Sequence, residues 1–165
     1  MEAFSKGKQI TGLVLWLVLC YATSAIGALG SIQAQSFYDQ LSQPAWAPPA
    51  WLFGPVWTVL YALMAIAAWL VWRQGGFGVQ KRPMSLFIVQ LVLNALWSWI
   101  FFAWQLGGPA FAEIILLWIL ITATTFSLWR VKPLAGVLML PYLLWVSFAS
   151  ALNFALWQMN PQILG

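Results

Sequence analysis

The side chains of this chain that could take part in chemistry are aromatic rings and amides, not acids, bases or metal ligands. The 165 residues include 13 tryptophans and 4 tyrosines, but no histidine, one cysteine and three carboxylates. These residues cannot supply a zinc ligand set, a Ser-His-Asp triad, a catalytic carboxylate pair or an axial histidine for haem. Aromatic and amide groups suit a flat apolar ligand. The composition therefore excludes these conventional sites, and we expect no metal site and no obligatory cofactor.

Three groups of these side chains recur at the spacing that places residues on one face of a helix. Each stripe combines aromatics with an amide or a small residue, whereas a face toward lipid needs only apolar groups, so we expect the stripes to face the interior of a bundle. Interhelical hydrogen bonding and a ligand pocket are both open interpretations of this pattern. The stripes are Phe53, Trp57, Tyr61, Met64 and Ala68; Gln90, Asn94, Trp97 and Phe101; and Tyr142, Trp145, Ala149, Asn153 and Leu156.

A further concentration of aromatic residues lies in Pro44–Tyr61, which has four prolines and three tryptophans. Proline fixes φ and lacks an N–H donor, so the first three prolines predict a stiff, extended segment, and Pro55 indicates the start of a helix. We interpret residues 30–51 as a lid on the outer side of the protein. Trp46 and Pro49 in this lid are predicted to contact a ligand.

The elements that must position these residues are membrane spans. Hydrophobic residues make up 63% of the chain and charged residues 6%, and the mean hydropathy is +0.86. A soluble domain has about four times this charged fraction. The predicted fold is therefore all-α, a polytopic five-helix bundle forming a single membrane domain over residues 1–165. Apolar runs of roughly 20 residues predict spans at about 10–29, 52–72, 84–104, 109–129 and 134–157.

The basic residues set the expected orientation, because all seven flank spans on the same side of the membrane. The positive-inside rule then places the N-terminus in the cytoplasm and the C-terminus outside. The lid and the outer parts of the three stripes share the outer side. The net charge of +4 is thus a topology signal, and no nucleic-acid partner is expected. The basic residues are Lys6, Lys8, Arg73, Lys81, Arg82, Arg130 and Lys132.

The first span has an alternative interpretation as a signal peptide, since two lysines precede its apolar run. Leu17–Cys20 also resembles a lipoprotein cleavage box, although the bulky Leu19 disfavours cleavage there. The run continues to Leu29, so we prefer a retained helix. Cys20 is expected to be a small buried residue, and Glu113 an interfacial acid near the start of a helix.

Four motifs follow one another between about Phe37 and Asn160, and together they resemble a known family. The motifs are Gln43-Pro-Ala-Trp-Ala-Pro-Pro-Ala-Trp51, Gly54-Pro-Val-Trp-Thr-Val-Leu-Tyr61, Gln90-Leu-Val-Leu-Asn94 with Phe101-Phe102, and Pro141-Tyr-Leu-Leu-Trp-Val-Ser-Phe-Ala149 with Leu152-Asn153. The family is that of the tryptophan-rich sensory proteins and translocator proteins, also called peripheral-type benzodiazepine receptors. The resemblance implies a five-helix bundle, usually a homodimer, that binds porphyrins and, in animal members, isoquinoline carboxamide drugs and cholesterol.

The resemblance also implies roles for particular residues. By motif matching, the two pocket tryptophans of the family fall on Trp57 and Trp145, and its small residue near the ligand falls on Ala149. Its polar positions in the third span, a pocket aromatic and a loop tyrosine fall on Gln90, Asn94, Trp97 and Tyr38. The complete expected ligand-binding set is Tyr38, Trp46, Pro49, Phe53, Trp57, Tyr61, Gln90, Asn94, Trp97, Tyr142, Trp145, Ala149 and Asn153.

The function expected from these features is binding of a tetrapyrrole, protoporphyrin IX or haem, by a sensor or carrier in porphyrin homeostasis. The simplest location is a bacterial cytoplasmic membrane, although outer-membrane placement is known in the family. One alternative, implied by some bacterial members, is light-dependent porphyrin degradation with Trp57 and Trp145 as candidate catalytic residues. Another is translocation of a sterol or other hydrophobic molecule. The sterol motif of animal members is incomplete here, because Phe154 replaces its tyrosine and no basic residue follows Lys132.

Overall fold

The computed structural model describes residues 4–165, and this part of the chain is helical, without a strand. Five of its helices are long and apolar enough to cross a membrane, which confirms the predicted five-helix membrane fold. Three shorter α-helices, one of them in the lid, accompany these five. The α-helices are α1 (Lys6–Gly30), α2 (Ala34–Gln40), α3 (Phe53–Trp72), α4 (Gly76–Val79), α5 (Lys81–Ser98), α6 (Gly107–Val131), α7 (Pro133–Met159) and α8 (Pro161–Leu164).

Prolines mark the beginnings of the later spanning helices. Pro83 and Pro109 are the third residues of α5 and α6, and Pro133 is the first residue of α7. These are positions at which a helix N–H has no partner within the helix, so the missing donor costs little. The helices consequently begin one to three residues before the apolar runs from which they were predicted. Pro141 is different, because it lies inside α7.

The predicted third span is an α-helix for most of its length and a π-helix at its end. The α5 helix passes into a π-helical segment, Trp99–Ala103, in which the backbone N–H of Trp104 donates to the carbonyl of Trp99 at 2.9 Å. Trp99 also docks α1, since its indole N–H donates to the carbonyl of Ile26 at 3.0 Å. A side chain at Gly30 would place its Cβ 2.9 Å from the Trp99 ring, so glycine permits this close approach.

The bundle core lies where α3, α5, α6 and α7 meet. Met64, Phe87, Met139 and Tyr142 are each fully buried there. A second cluster of buried residues lies nearer the lid and includes Phe37, Phe101 and Leu156. The core is therefore continuous in the half of the bundle away from the lid, whereas the half toward the lid is built more from aromatic rings.

Hydrogen bonds join two parts of the lid to each other and join the lid to the end of α7. Tyr38 of α2, a helix that the sequence did not predict, donates from its hydroxyl to the carbonyl of Pro48 at 2.9 Å. Burial, followed by the nearby Asp39 carboxylate, raises the pKa of Tyr38, so this hydroxyl stays a donor at neutral pH. The Asn160 side chain accepts from the Ser42 N–H at 2.8 Å and donates to the Ser42 carbonyl at 2.9 Å.

The alternation of helix directions gathers the basic residues at one end of the bundle. This end contains the start of α1, the end of α3, the start of α5, and the α6–α7 connection. The lid lies at the opposite end. The charge asymmetry of the sequence therefore corresponds to a real polarity of the folded molecule.

Candidate functional site

A cavity of about 530 Å³ lies at the lid end of the bundle, between α1, α2, α3, α5 and α7. Its volume falls within the range of about 300–1,000 Å³ that small-molecule sites occupy. Nine of the thirteen residues predicted to bind a ligand line it. They are Tyr38, Phe53, Trp57, Tyr61, Asn94, Trp97, Trp145, Ala149 and Asn153.

The walls of the cavity are aromatic and come from three different helices. Trp57 of α3 lies next to Tyr61, with ring centroids 5.6 Å apart. Trp145 of α7 meets the edge of Phe53 at 5.9 Å. The ring of Trp97 in α5 stacks on the ring of Phe101, which follows one turn later. Their centroids are 5.2 Å apart, and the angle between the rings is 14°. These rings offer flat apolar surface on several sides of one cavity.

The floor of the cavity is a buried hydrogen-bond network. The Tyr61 hydroxyl donates to the side-chain oxygen of Asn94, and the Asn94 amide donates to the Tyr142 hydroxyl at 2.8 Å. Tyr142 in turn donates to the side-chain oxygen of Gln90 at 2.8 Å, and the Gln90 amide contacts the sulfur of Met64 at 3.9 Å. The polar groups satisfy one another, so the network holds the helices together while Tyr61 and Asn94 face the cavity.

Gln90 and Tyr142, which the sequence predicted as ligand-binding, belong to the part of this network that faces away from the cavity and are fully buried. They do not line the cavity. Their position gives them an indirect role, since Tyr142 links the amides of Asn94 and Gln90 and so fixes the Asn94 side chain.

A second polar link fixes the indole of Trp97. Its N–H donates to the side-chain oxygen of Asn153 at 3.0 Å, and the Asn153 amide donates to the Gly107 carbonyl at 3.2 Å. Because Asn153 is buried and bonded on both sides, it holds the Trp97 ring at a defined angle to the cavity. The Asn153 side chain therefore links α5, α7 and the start of α6.

The lid residues Trp46 and Pro49 lie outside the cavity lining. Trp46 is half exposed and packs edge-on against Phe148, with ring centroids 5.8 Å apart. Within residues 44–51 only Ala50 lines the cavity. The lid lies over the end of the bundle, and Trp46 contacts α7 outside the cavity.

Sequence reasoning missed the contribution of α1 and, apart from Tyr38, that of α2. Small residues of α1 and the adjoining Ser31, together with Ala34 and Gln35 of α2, complete the lining on one side; those of α1 are Ser24, Gly27 and Ala28. Exposed lining residues mark the mouth of the cavity, between the end of α1, α2 and the start of α3; they are Ala28, Ile32, Gln35, Gly54 and Thr58. Below the mouth, the Tyr21 hydroxyl donates to the Thr58 carbonyl at 2.8 Å and joins α1 to α3.

The electrostatic character of the cavity is neutral. No charged side chain belongs to its lining, which consists of aromatic, aliphatic, hydroxyl and amide groups. Residues 4–165 contain no cluster of three histidine, cysteine or carboxylate side chains able to hold a metal. The one cysteine, Cys20, is buried in the core outside the cavity lining. Stacking and hydrogen bonding are thus the interactions that this site can offer.

Comparison with known proteins agrees with the motifs. The model of the TspO/MBR family matches residues 14–158. The tryptophan-rich protein TspO of Chlorobaculum tepidum is 42% identical over 159 residues, which are 93% of this chain and 99% of that protein. Protein CrtK of Rhodobacter capsulatus is 36% identical, over 93% of this chain and 95% of the relative. The human translocator protein is 39% identical over 75% of each chain. A five-helix membrane bundle with this match along most of its length belongs to the TspO/MBR family.

Proposed function

We propose that this protein binds a porphyrin in the aromatic cavity and acts as a sensor or carrier in porphyrin homeostasis. The observation that carries the proposal is the neutral, partly open cavity of about 530 Å³ that Trp57 and Trp145 line. A planar macrocycle would gain stacking surface from both indoles. With no cation in the lining, the charged propionates of a porphyrin would have to lie at the mouth, near Gln35 and Thr58.

The same geometry favours binding over passage through the bundle. Below Tyr61 and Asn94 the helices are packed around fully buried side chains, including Met64, Phe87 and Met139. Any path to the basic end would have to separate these residues and break the hydrogen bonds of Tyr142. By the positive-inside rule we place the basic end in the cytoplasm, so the cavity would open on the outer side.

The proposal predicts that iron contributes little to binding. Neither histidine nor cysteine lines the cavity, and its two tyrosine hydroxyls already donate to Pro48 and Asn94. Iron-free protoporphyrin IX should therefore bind with an affinity within about threefold of that of haem, a difference of about 0.7 kcal/mol. Fluorescence quenching and absorbance titrations of the purified protein in detergent measure both affinities.

Two outcomes of these titrations would count against the proposal. If neither porphyrin binds saturably, the proposed porphyrin-binding function is wrong. A hundredfold preference for haem, about 2.7 kcal/mol, would show that a protein group ligates iron and that stacking is not the main interaction.

We also propose, as a second candidate, that bound porphyrin is degraded under light. The specific observation is that Trp57 is in contact with two tyrosines, at ring-centroid distances of 5.6 Å to Tyr61 and 6.0 Å to Tyr142. Indole is far easier to oxidise than a phenyl ring, and the neighbouring phenols could share an oxidation that begins there. Dioxygen would be the terminal oxidant in such a reaction.

Substitution of the pocket indoles tests this candidate. Trp57→Phe and Trp145→Phe keep most of the stacking area, so affinity in the dark should change by less than about threefold. If the indoles participate, illuminated wild-type protein should bleach protoporphyrin faster than detergent alone does, and both variants should lose that excess. Trp118→Phe is the matched control, because Trp118 lies outside the cavity and bonds Ser147. Equal bleaching by wild type and all three variants would leave the protein a binder.

A further inference from the structure

Two hydroxyl groups of the cavity lining have no partner within the described part of the chain. The serine and threonine residues of the lining are Ser24, Ser31, Thr58 and Ser98. Ser31 and Thr58 each donate to the carbonyl one turn earlier, at 3.0 and 2.9 Å, as these residues commonly do in helices. Ser24 and Ser98 make no side-chain hydrogen bond with any of residues 4–165. Their hydroxyls are therefore available to a ligand.

The Ser24 and Ser98 hydroxyls are open to the cavity. Both residues are partly buried, and neither oxygen is among the buried unpaired side-chain atoms of residues 4–165, which belong to Glu113 and Thr125. The two oxygens therefore keep accessible surface, and the residues that carry them line the cavity. A purely apolar ligand would cover these hydroxyls without offering them a partner, which is unfavourable. A ligand that supplies an acceptor satisfies them.

Ser24 and Ser98 lie in the same part of the bundle, where α1 packs against α5. The Ser98 hydroxyl points at α1, since a Cβ at Gly27 would be 3.4 Å from its oxygen. Ser24 is three residues before Gly27, and Cβ atoms at this spacing are about 5–6 Å apart on one face of a helix. The two hydroxyls consequently border one part of the cavity. A single ligand group with two oxygens can reach both.

The charge of that ligand group follows from the lining, in which no residue is charged. An ionised carboxylate taken from water into such a site would have no cation to compensate it, which is strongly unfavourable. A neutral carboxyl or ester group carries no such penalty, and its oxygens accept hydrogen bonds from hydroxyls. The pocket tryptophans belong to α3 and α7, so the hydroxyls of α1 and α5 add a contact that the indoles do not make.

From these observations we propose that Ser24 and Ser98 bind one neutral carboxyl or ester group of the ligand by donating hydrogen bonds to its oxygens. This subsite rests on the proposed function, because it belongs to the same cavity, and it specifies which polar group the cavity selects. A porphyrin propionate enters the subsite as the acid or as an ester, whereas a charged propionate stays at the mouth near Gln35. The indoles contribute affinity for the ring, and the serines contribute selectivity for its side chains.

Titrations with two uncharged porphyrins test the subsite. Protoporphyrin IX dimethyl ester carries ester groups, whereas octaethylporphyrin carries only alkyl groups. Ser24→Ala and Ser98→Ala should each lower the affinity for the dimethyl ester about five- to tenfold, the effect of one neutral hydrogen bond. Their affinity for octaethylporphyrin should stay within about twofold of that of wild type. Each variant is compared with wild type for the same porphyrin, so differences in partitioning into detergent cancel.

Ser31→Ala is the matched control for both serine variants. Ser31 lines the same cavity, but its hydroxyl already donates to the Gly27 carbonyl. This variant should bind both porphyrins as wild type does, within about twofold. A loss of dimethyl ester affinity as large as that of Ser98→Ala would show that any change of this wall weakens binding, and it would overturn the subsite.

Three further outcomes are decisive. If Ser24→Ala and Ser98→Ala weaken both porphyrins equally, the substitutions reshape the cavity and the subsite is wrong. Unchanged affinity of either variant for the dimethyl ester, with normal binding by wild type, would also reject the subsite while leaving the proposed function intact. If wild-type protein binds neither protoporphyrin IX nor its dimethyl ester saturably, the proposed function is wrong, and the subsite with it.

Discussion

Ala149→Leu should lower porphyrin affinity about ten- to hundredfold while leaving the protein folded. Ala149 lines the cavity on α7, one turn from Trp145 and beside Asn153. A leucine there would extend its added carbons into space that the ligand needs, and accommodating extra methylenes in a filled site costs about 1–3 kcal/mol. In the free protein the same carbons would enter an open cavity, so stability should change little. Porphyrin titration and thermal unfolding in detergent measure the two quantities.

The control for this variant is Ala151→Leu, which makes the same substitution two residues later on α7. Ala151 is exposed and does not line the cavity. Its affinity should equal that of wild type. If both variants weaken binding equally, the effect comes from α7 as a whole, and the cavity is not the porphyrin site. If Ala149→Leu binds normally, the ligand does not approach this wall.

Tyr142→Phe should destabilise the protein by about 2 kcal/mol. The Tyr142 hydroxyl accepts from Asn94 and donates to Gln90, both at 2.8 Å, and the side chain is fully buried. Its removal would leave one amide donor and one amide acceptor without partners. Hydrogen bonds between membrane helices average about 0.6 kcal/mol, but two lost bonds and two unsatisfied buried groups exceed that average. Equilibrium unfolding by titration with a denaturing detergent measures the difference.

Tyr21→Phe is the matched comparison for the loss of a tyrosine hydroxyl. Tyr21 is 38% exposed, and its hydroxyl makes one bond, to the backbone carbonyl of Thr58. That carbonyl lies inside α3 and keeps its helical partner, so the cost should stay below about 1 kcal/mol. Equal destabilisation by the two variants would show that the buried network contributes no more than a surface hydrogen bond.

Much of the candidate site follows from helical periodicity. Trp57 and Tyr61, Asn94 and Trp97, and Trp145 and Ala149 are each three or four residues apart, so sequence spacing alone puts them on shared faces. Aromatic and amide side chains marked those faces as interior. The structure then brings the three faces around one cavity.

Depth and small residues could not be predicted in the same way. Periodicity specifies the face of a helix but not the level at which neighbouring helices converge, so Gln90 and Tyr142 looked equivalent to Asn94 and Trp145. The lining from α1 was missed because Gly27 and Ala28 have no side-chain chemistry to recognise. Their role arises from space, which only the packed bundle defines.

The lid shows a third limit of sequence reasoning. Its prolines predicted a stiff, extended segment, but such a prediction does not specify which surface the segment covers. Trp46 was expected to contact the ligand and instead packs on Phe148 outside the cavity. The contacts that decide this position, from Tyr38 to Pro48 and from Asn160 to Ser42, join residues that no local pattern connects.

The π-helical segment Trp99–Ala103 bears on how this cavity differs between homologues. A π-turn is equivalent to one additional residue in an α-helix, and such segments are often found at functional sites. Here Trp97, Ser98, Phe101 and Phe102 all line the cavity across this segment. A homologue that lacks one residue in this stretch would continue as a regular helix, and its subsequent side chains would rotate by about 100°. A one-residue gap at this position in an alignment would therefore indicate a cavity of different shape, and with it a different ligand preference.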